Sequence, residues 1–139
     1  DWLIPSQPGL NALISEDGSR SNQRALRVEY DGVAKGLATE QFLLLKPGRY
    51  RFAARQRVES GLPEARLEWV LSCYETYRVP LRAKPLRQGG ESSWQTLRAE
   101  FEVPAQGCSA QWLRLMARSG PRRANTTVWF DDIAITSLN

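Results

Sequence analysis

"RYRFAARQRV" runs from Arg49 to Val58. Tyr50, Phe52, Ala54 and Val58 fall on one parity, and Arg49, Arg51, Arg55 and Arg57 on the other. Alternation of this kind predicts a strand with one face in a core and one in water. A helix would scatter the same arginines around its circumference. Pro47-Gly48 upstream is a turn signal, and "SGLPE" downstream breaks the pattern.

Working outward, the same period recurs. "ALRVEY" (Ala25 to Tyr30) sets Leu26, Val28 and Tyr30 against Arg27 and Glu29, and Asp31-Gly32 turns the chain. "EQFLLL" (Glu40 to Leu45) is apolar enough for a central strand. "ARLEWVLSCY" (Ala65 to Tyr74) places Leu67, Trp69, Leu71 and Cys73 on one face. In "SSWQTLRAEFEVPAQGC" (Ser92 to Cys108), Leu97, Ala99, Phe101 and Val103 alternate with Arg98, Glu100 and Glu102. Pro104, which lacks a donor, ends that pairing. "AQWLRLMA" (Ala110 to Ala117) and "TVWFDDIAI" (Thr127 to Ile135) follow, separated by the turn "SGPRRANT". Residues 76 to 92, rich in Arg, Pro and Gly, read as a long loop with a short edge strand. Helical periodicity is scarce. The expectation is an all-β fold, a β-sandwich jelly roll of about eight antiparallel strands.

A chain of 139 residues is one domain's worth, and "DWLIP" at its start reads as an excised domain of a larger protein. The hydrophobic fraction of 42% is that of a globular protein, and no apolar run suggests a membrane span. Net charge is +4 without a clustered basic stripe, so no nucleic-acid partner is expected. Arg51, Arg55 and Arg57 instead read as a wet face, cross-paired with Glu100 and Glu102 if those strands are neighbours. The chain has no histidine, which removes the commonest general base and any Ser-His-Asp or Cys-His arrangement. A glycosidase would need two placed carboxylates, and nothing in the spacing pairs Glu68 with Glu100. Cys73 and Cys108 are too few for a zinc site without histidine. They are either one disulfide, implying a periplasmic, cell-envelope or extracellular setting, or two buried thiols.

Four segments in order carry a resemblance: "ALRVEYDG", "LLLKPGRYRFAARQRV", "SSWQTLRAEFEVP" and "VWFDDIAI". Together they resemble the carbohydrate-binding modules of the galactose-binding-like jelly-roll superfamily over roughly residues 22 to 136. The resemblance implies that Trp94 is a core or edge-sealing residue. It also implies a structural calcium held by the Asp131-Asp132 pair with N-terminal carbonyls. The family's acidic partner near the first strand is not obvious, and Glu16 or Asp17 would have to substitute. Asp131 shares parity with Ile133 and Ile135 and is expected to point inward, towards calcium or an arginine.

The resemblance also implies sugar binding by aromatic rings stacked on pyranose faces. Trp69 shares parity with Leu67 and Leu71, and Trp129 with Ile133, so both read as core. Trp112 alternates against Leu113 and Leu115 and faces outward beside Arg114; Tyr74 is opposite Cys73, and Tyr77 sits in the loop. Trp112, Tyr74, Tyr77, Arg114 and Glu68 therefore form a candidate platform for an oligosaccharide or polysaccharide. The same rings also fit packing under the long loop, or docking to other domains of the parent protein.

Overall fold

The computed structural model describes residues 2–5, 7–15, 25–87 and 94–139. Among them are nine strands: β1 (Leu10–Ser15), β2 (Ala25–Tyr30), β3 (Gly36–Leu43), β4 (Gly48–Ser60), β5 (Leu67–Cys73), β6 (Leu81–Ala83), β7 (Gln95–Val103), β8 (Gln111–Ala117) and β9 (Thr126–Ser137). One helical turn, α1 (Pro63–Arg66), leads into β5. The strands form two antiparallel sheets, a five-stranded one ordered β1-β2-β9-β4-β7 and a four-stranded one ordered β3-β8-β5-β6. The architecture is the expected β-sandwich jelly roll, with nine strands rather than about eight. The additional strand is β1, "LNALIS". Its apolar residues Leu13 and Ile14 are adjacent and both exposed, so its sequence carries no clean alternation.

The inward parity of each strand makes the core. Trp69 of β5 lies at its centre, fully buried, with ring centroids 5.6 Å from Phe52, 5.2 Å from Phe130 and 5.9 Å from Trp2. Leu71, Leu113 and Leu115 complete the floor of the four-stranded sheet. Each such side chain contributes about 1.5–3 kcal/mol through burial. Two glutamines are also fully buried, and both substitute for strand pairing. Gln56 accepts from the Leu86 N–H (2.8 Å) and donates to the Leu86 carbonyl (2.7 Å). Gln111 accepts from the Leu45 N–H (2.8 Å) and donates to the carbonyls of Leu45 (3.2 Å) and Cys108 (2.7 Å). Connections at the sheet ends are thus fixed by satisfied polar groups inside the core.

The two cysteines are bridged. Cys73 closes β5, Cys108 precedes β8, and their Cα atoms are 4.8 Å apart. On the outer face of β4 and β7, Arg51 reaches Glu100 at 3.6 Å as expected, joined by Arg49 at 3.1 Å, whereas Arg55 instead faces Asp132 and Arg57 lies over the Trp94 and Trp129 rings.

Three expectations need correction. β3 is an edge strand of its sheet, not a central one. Its apolar run is explained by Phe42 and Leu44 lying outward and exposed, while the edge is partly covered by a bridge between Leu3 and Glu40. Second, Trp129 does not share a face with Ile133. Arg55 pairs with Asp131 and Ala53 with Ala134, so two residues of β9 oppose one of β4. This bulge, with Asp132 at φ 49°, switches the parity of the strand. Trp129 therefore pairs with Arg57 on the outer face, while Ile133 and Ile135 pack on the core. For the same reason, and third, Asp131 shares the outer face with Arg55 rather than the inner face with Ile133.

Candidate functional site

The outer face of the four-stranded sheet gathers three aromatic rings. Phe42 of β3 pairs directly with Trp112 of β8, and Trp112 with Ser72 of β5. The Phe42 and Trp112 rings meet edge to face at a centroid distance of 4.9 Å. Tyr74, one residue past β5, reaches back to Phe42 at 6.3 Å. Phe42 and Tyr74 are 46% and 57% exposed, and Trp112 is half-buried between its neighbours. One register step along, Arg114 pairs with Glu40, its Nε donating to Glu40 Oε2 at 2.7 Å. The Arg114 guanidinium also lies 5.1 Å from the Trp112 ring centre, a cation–π contact. The ion pair fixes the guanidinium, and the guanidinium fixes the indole.

Glu68 lies on this same outer face, two register steps from Trp112 along β5, and pairs with Arg82 of β6 at 2.9 Å. Tyr77 is different. It is 83% exposed, with a left-handed φ of 60°, and its N–H bonds the Cys73 carbonyl. No ring contact joins it to the other three among the described residues. Sequence reasoning missed Phe42 and Glu40. Their strand is apolar on both parities, and its pairing with β8 spans some seventy residues.

The rim beneath Tyr74 is strapped to the loop before β8. Beside the disulfide, the Tyr74 N–H bonds the Ala110 carbonyl (2.9 Å) and Thr76 Oγ1 donates to the Gly107 carbonyl (3.2 Å). Glu75 Oε1 accepts both the backbone N–H of Ser109 (2.7 Å) and its hydroxyl. The hydroxyl bond, then the backbone bond, hold the Glu75 carboxyl below its ordinary pKa. A lowered folded-state pKa means the strap contributes fully above the unfolded value. Its contribution is lost as pH falls through the lower folded value. The Ser109 amide resonance is accordingly expected to titrate with a midpoint below the ordinary glutamate value of about 4.3. A midpoint at or above that value would show the strap to be unformed.

The Asp131-Asp132 pair lies at the β9 bulge. Asp131 Oδ1 accepts the N–H of Asp132 (2.8 Å), and Asp132 Oδ2 lies 3.9 Å from Arg55. Among the described residues no group of three acidic side chains is close enough to hold a metal ion. Glu16 and Asp17 lie outside the described residues.

On the other side of the sandwich, the outer face of the five-stranded sheet carries a second aromatic system. Gln95 pairs with the buried Gln56, so Trp94, one residue earlier, takes the outer face. Trp94 is therefore half-buried outside the core, beside the edge strand β7, which removes the core alternative of the two expected for it. Guanidinium carbons of Arg55 and Arg57 lie 5.3 and 5.7 Å from its ring centre. Arg57 and Arg27 are each 5.4 Å from that of Trp129, whose Nε1 donates to Glu59 (3.1 Å). Arginines and indoles thus alternate across three strands. Arg27 is neutralised by Glu29 and Glu59, and Arg55 faces Asp132.

No protein-family model matches the chain, and no curated protein matches it. Solved structures do. The CBM22-1 xylan-binding domain from Paenibacillus barcinonensis Xyn10C is similar with a TM-score of 0.65 and 10% identity, over 99% of this chain and 86% of that one. The CBM22-1–GH10 modules of endo-1,4-β-D-xylanase 10B from Clostridium thermocellum, complexed with xylohexaose, give 0.63 and 15% over 99% of this chain and 26% of that one. The enzymatically active domain of bacteriophage CBA120 tailspike protein 4 gives 0.67 and 12% over 99% of this chain and 19% of that one. At these identities the likeness is one of fold. The chain has the β-sandwich jelly roll on which carbohydrate-binding modules are built.

Proposed function

We propose that this chain is a non-catalytic module of an exported or envelope protein that binds oligosaccharide or polysaccharide by aromatic stacking on the outer face of the four-stranded sheet. The observation carrying this reading is the trio of Phe42, Trp112 and Tyr74, open to solvent and bordered by the Arg114–Glu40 pair. Flat apolar rings take the C–H faces of a pyranose, and the fixed polar groups beside them can take its hydroxyls. Arg114 and Arg82 are each matched by a carboxylate, which favours an uncharged glycan over an acidic one. Tyr77, exposed beyond the rim, is a further contact for a longer chain. The non-catalytic reading is supported by Glu68 and Glu100 lying on opposite outer faces of the sandwich, where they cannot flank one glycosidic bond. The Cys73–Cys108 bridge supports an oxidising setting.

Soluble neutral glycans are expected to perturb tryptophan emission. Trp112→Ala should abolish that response, and Phe42→Ala or Tyr74→Ala should weaken binding by roughly tenfold, while far-ultraviolet circular dichroism stays unchanged. A glycan array without a single saturable hit would sink the reading. One observation favours a second function, docking to a neighbouring domain: Leu3 and Leu44, 61% and 73% exposed, extend the patch beside Phe42 as hydrocarbon.

A further inference from the structure

A groove of about 250 Å³ opens where the 61–66 turn meets the 121–124 segment, at the opposite end of β5 from the disulfide. Its walls are mostly apolar, formed by Leu62, Ala65, Pro121 and Ala124. Leu62 is 65% exposed, an unfavourable position for an isobutyl group with nothing against it. Two guanidinium side chains, Arg66 and Arg122, complete the lining. Neither has a carboxylate within ion-pair distance among the described residues, although Arg123 next to them reaches Asp31 at 3.6 Å. Arg66 is half-buried against the chain at Gly120, where an added Cβ would come within 2.8 Å of its Nε. Glycine there leaves the guanidinium its place in the wall.

The two halves of this lining ask for different things. A partly desolvated guanidinium without a counter-charge is a site for an anion, and its planar fork suits the two oxygens of a carboxylate. The leucine, alanine and proline walls suit hydrocarbon and offer little to hydroxyls. The volume lies just under the ~300–1,000 Å³ of ordinary ligand pockets, which restricts the hydrocarbon to a compact body.

We propose that this groove binds a small organic monocarboxylate, its apolar body against Leu62, Ala65, Pro121 and Ala124 and its carboxylate between Arg66 and Arg122. The site is separate from the ring-bearing sheet face and does not depend on the glycan reading. The test is a titration of the full chain, followed by amide chemical shifts, with phenylacetate and with its uncharged counterpart phenylacetamide. Phenylacetate is expected to give saturable shifts confined to residues 61–66 and 120–124. Phenylacetamide, and phenylacetate on the Arg66→Gln/Arg122→Gln double variant, should bind at least roughly tenfold more weakly. Arg122→Gln alone changes only an exposed side chain. It keeps the test valid if the double variant misfolds, with a loss of several-fold expected. The absence of saturable shifts, equal binding of the amide, or unchanged affinity in the arginine variants would each overturn the proposal.

Discussion

Trp69→Ala is expected to cost about 3–5 kcal/mol of folding stability, read as a fall in the urea midpoint at constant slope. That is a large part of the ~5–15 kcal/mol by which domains of this kind are stable. The reason is position. Trp69 is 0% exposed and belongs to the four-stranded sheet, yet its ring meets Phe52 and Phe130 of the opposite sheet and Trp2 of the N-terminal segment. Truncation therefore empties a volume on which both layers and the N-terminal segment converge, and none of them can collapse into it without moving the others. Trp69→Phe should be much milder than its lost volume suggests. The indole Nε1 is buried without a hydrogen-bond partner among the described residues, and removing it relieves an unmet donor worth about 1–3 kcal/mol. A Trp69→Ala loss below about 2 kcal/mol would mean that the sheets are held together elsewhere.

Removing the Cys73–Cys108 bridge is expected to cost about 2–4 kcal/mol, by chain-entropy reasoning over the 35-position loop it closes. That loop contains β6 and β7, the outermost strands of the two different sheets, so the cross-link restricts an unfolded segment that must otherwise find both. A Cys73→Ala/Cys108→Ala variant measured in urea against the oxidised protein checks the value; coincident midpoints would refute it. The same variant should also weaken glycan binding on the reading proposed above. Tyr74 follows Cys73 directly, and the hydrogen bonds that hold its rim run to residues 107–110. Stability and ring placement are thereby coupled through one covalent bond.

Much of this was legible in the sequence, for a simple reason. Side-chain parity in a strand is a local property, so the buried faces of β2, β4, β5, β7 and β8 follow from alternation alone. The outward orientation of Trp112, Arg114 and Tyr74 follows in the same way. What could not be read is what parity does not encode. Which strands are neighbours is a non-local matter, so Phe42 and Glu40 could not be assigned to the company of Trp112 and Arg114. Nor could "EQFLLL", apolar at four consecutive positions and so on both parities, declare itself an edge. Trp129 cannot be placed from parity with Ile133, because the bulge between them is invisible in the sequence, and the arginines that cover Trp94 come from another strand. β1 escaped because its two exposed apolar residues are adjacent.

The extra residue at Asp132, directly after Asp131, gives β9 the equivalent of two reading frames. Upstream, odd-numbered side chains look outward; downstream, odd-numbered ones look inward. Deleting either aspartate would be a frameshift in space. The strand could keep its hydrogen bonds to β4, but it would have to drive Trp129 into the sandwich or expel Ile133 and Ile135 from it. The two halves of this strand can therefore vary in sequence independently, so long as one spare residue stays between them.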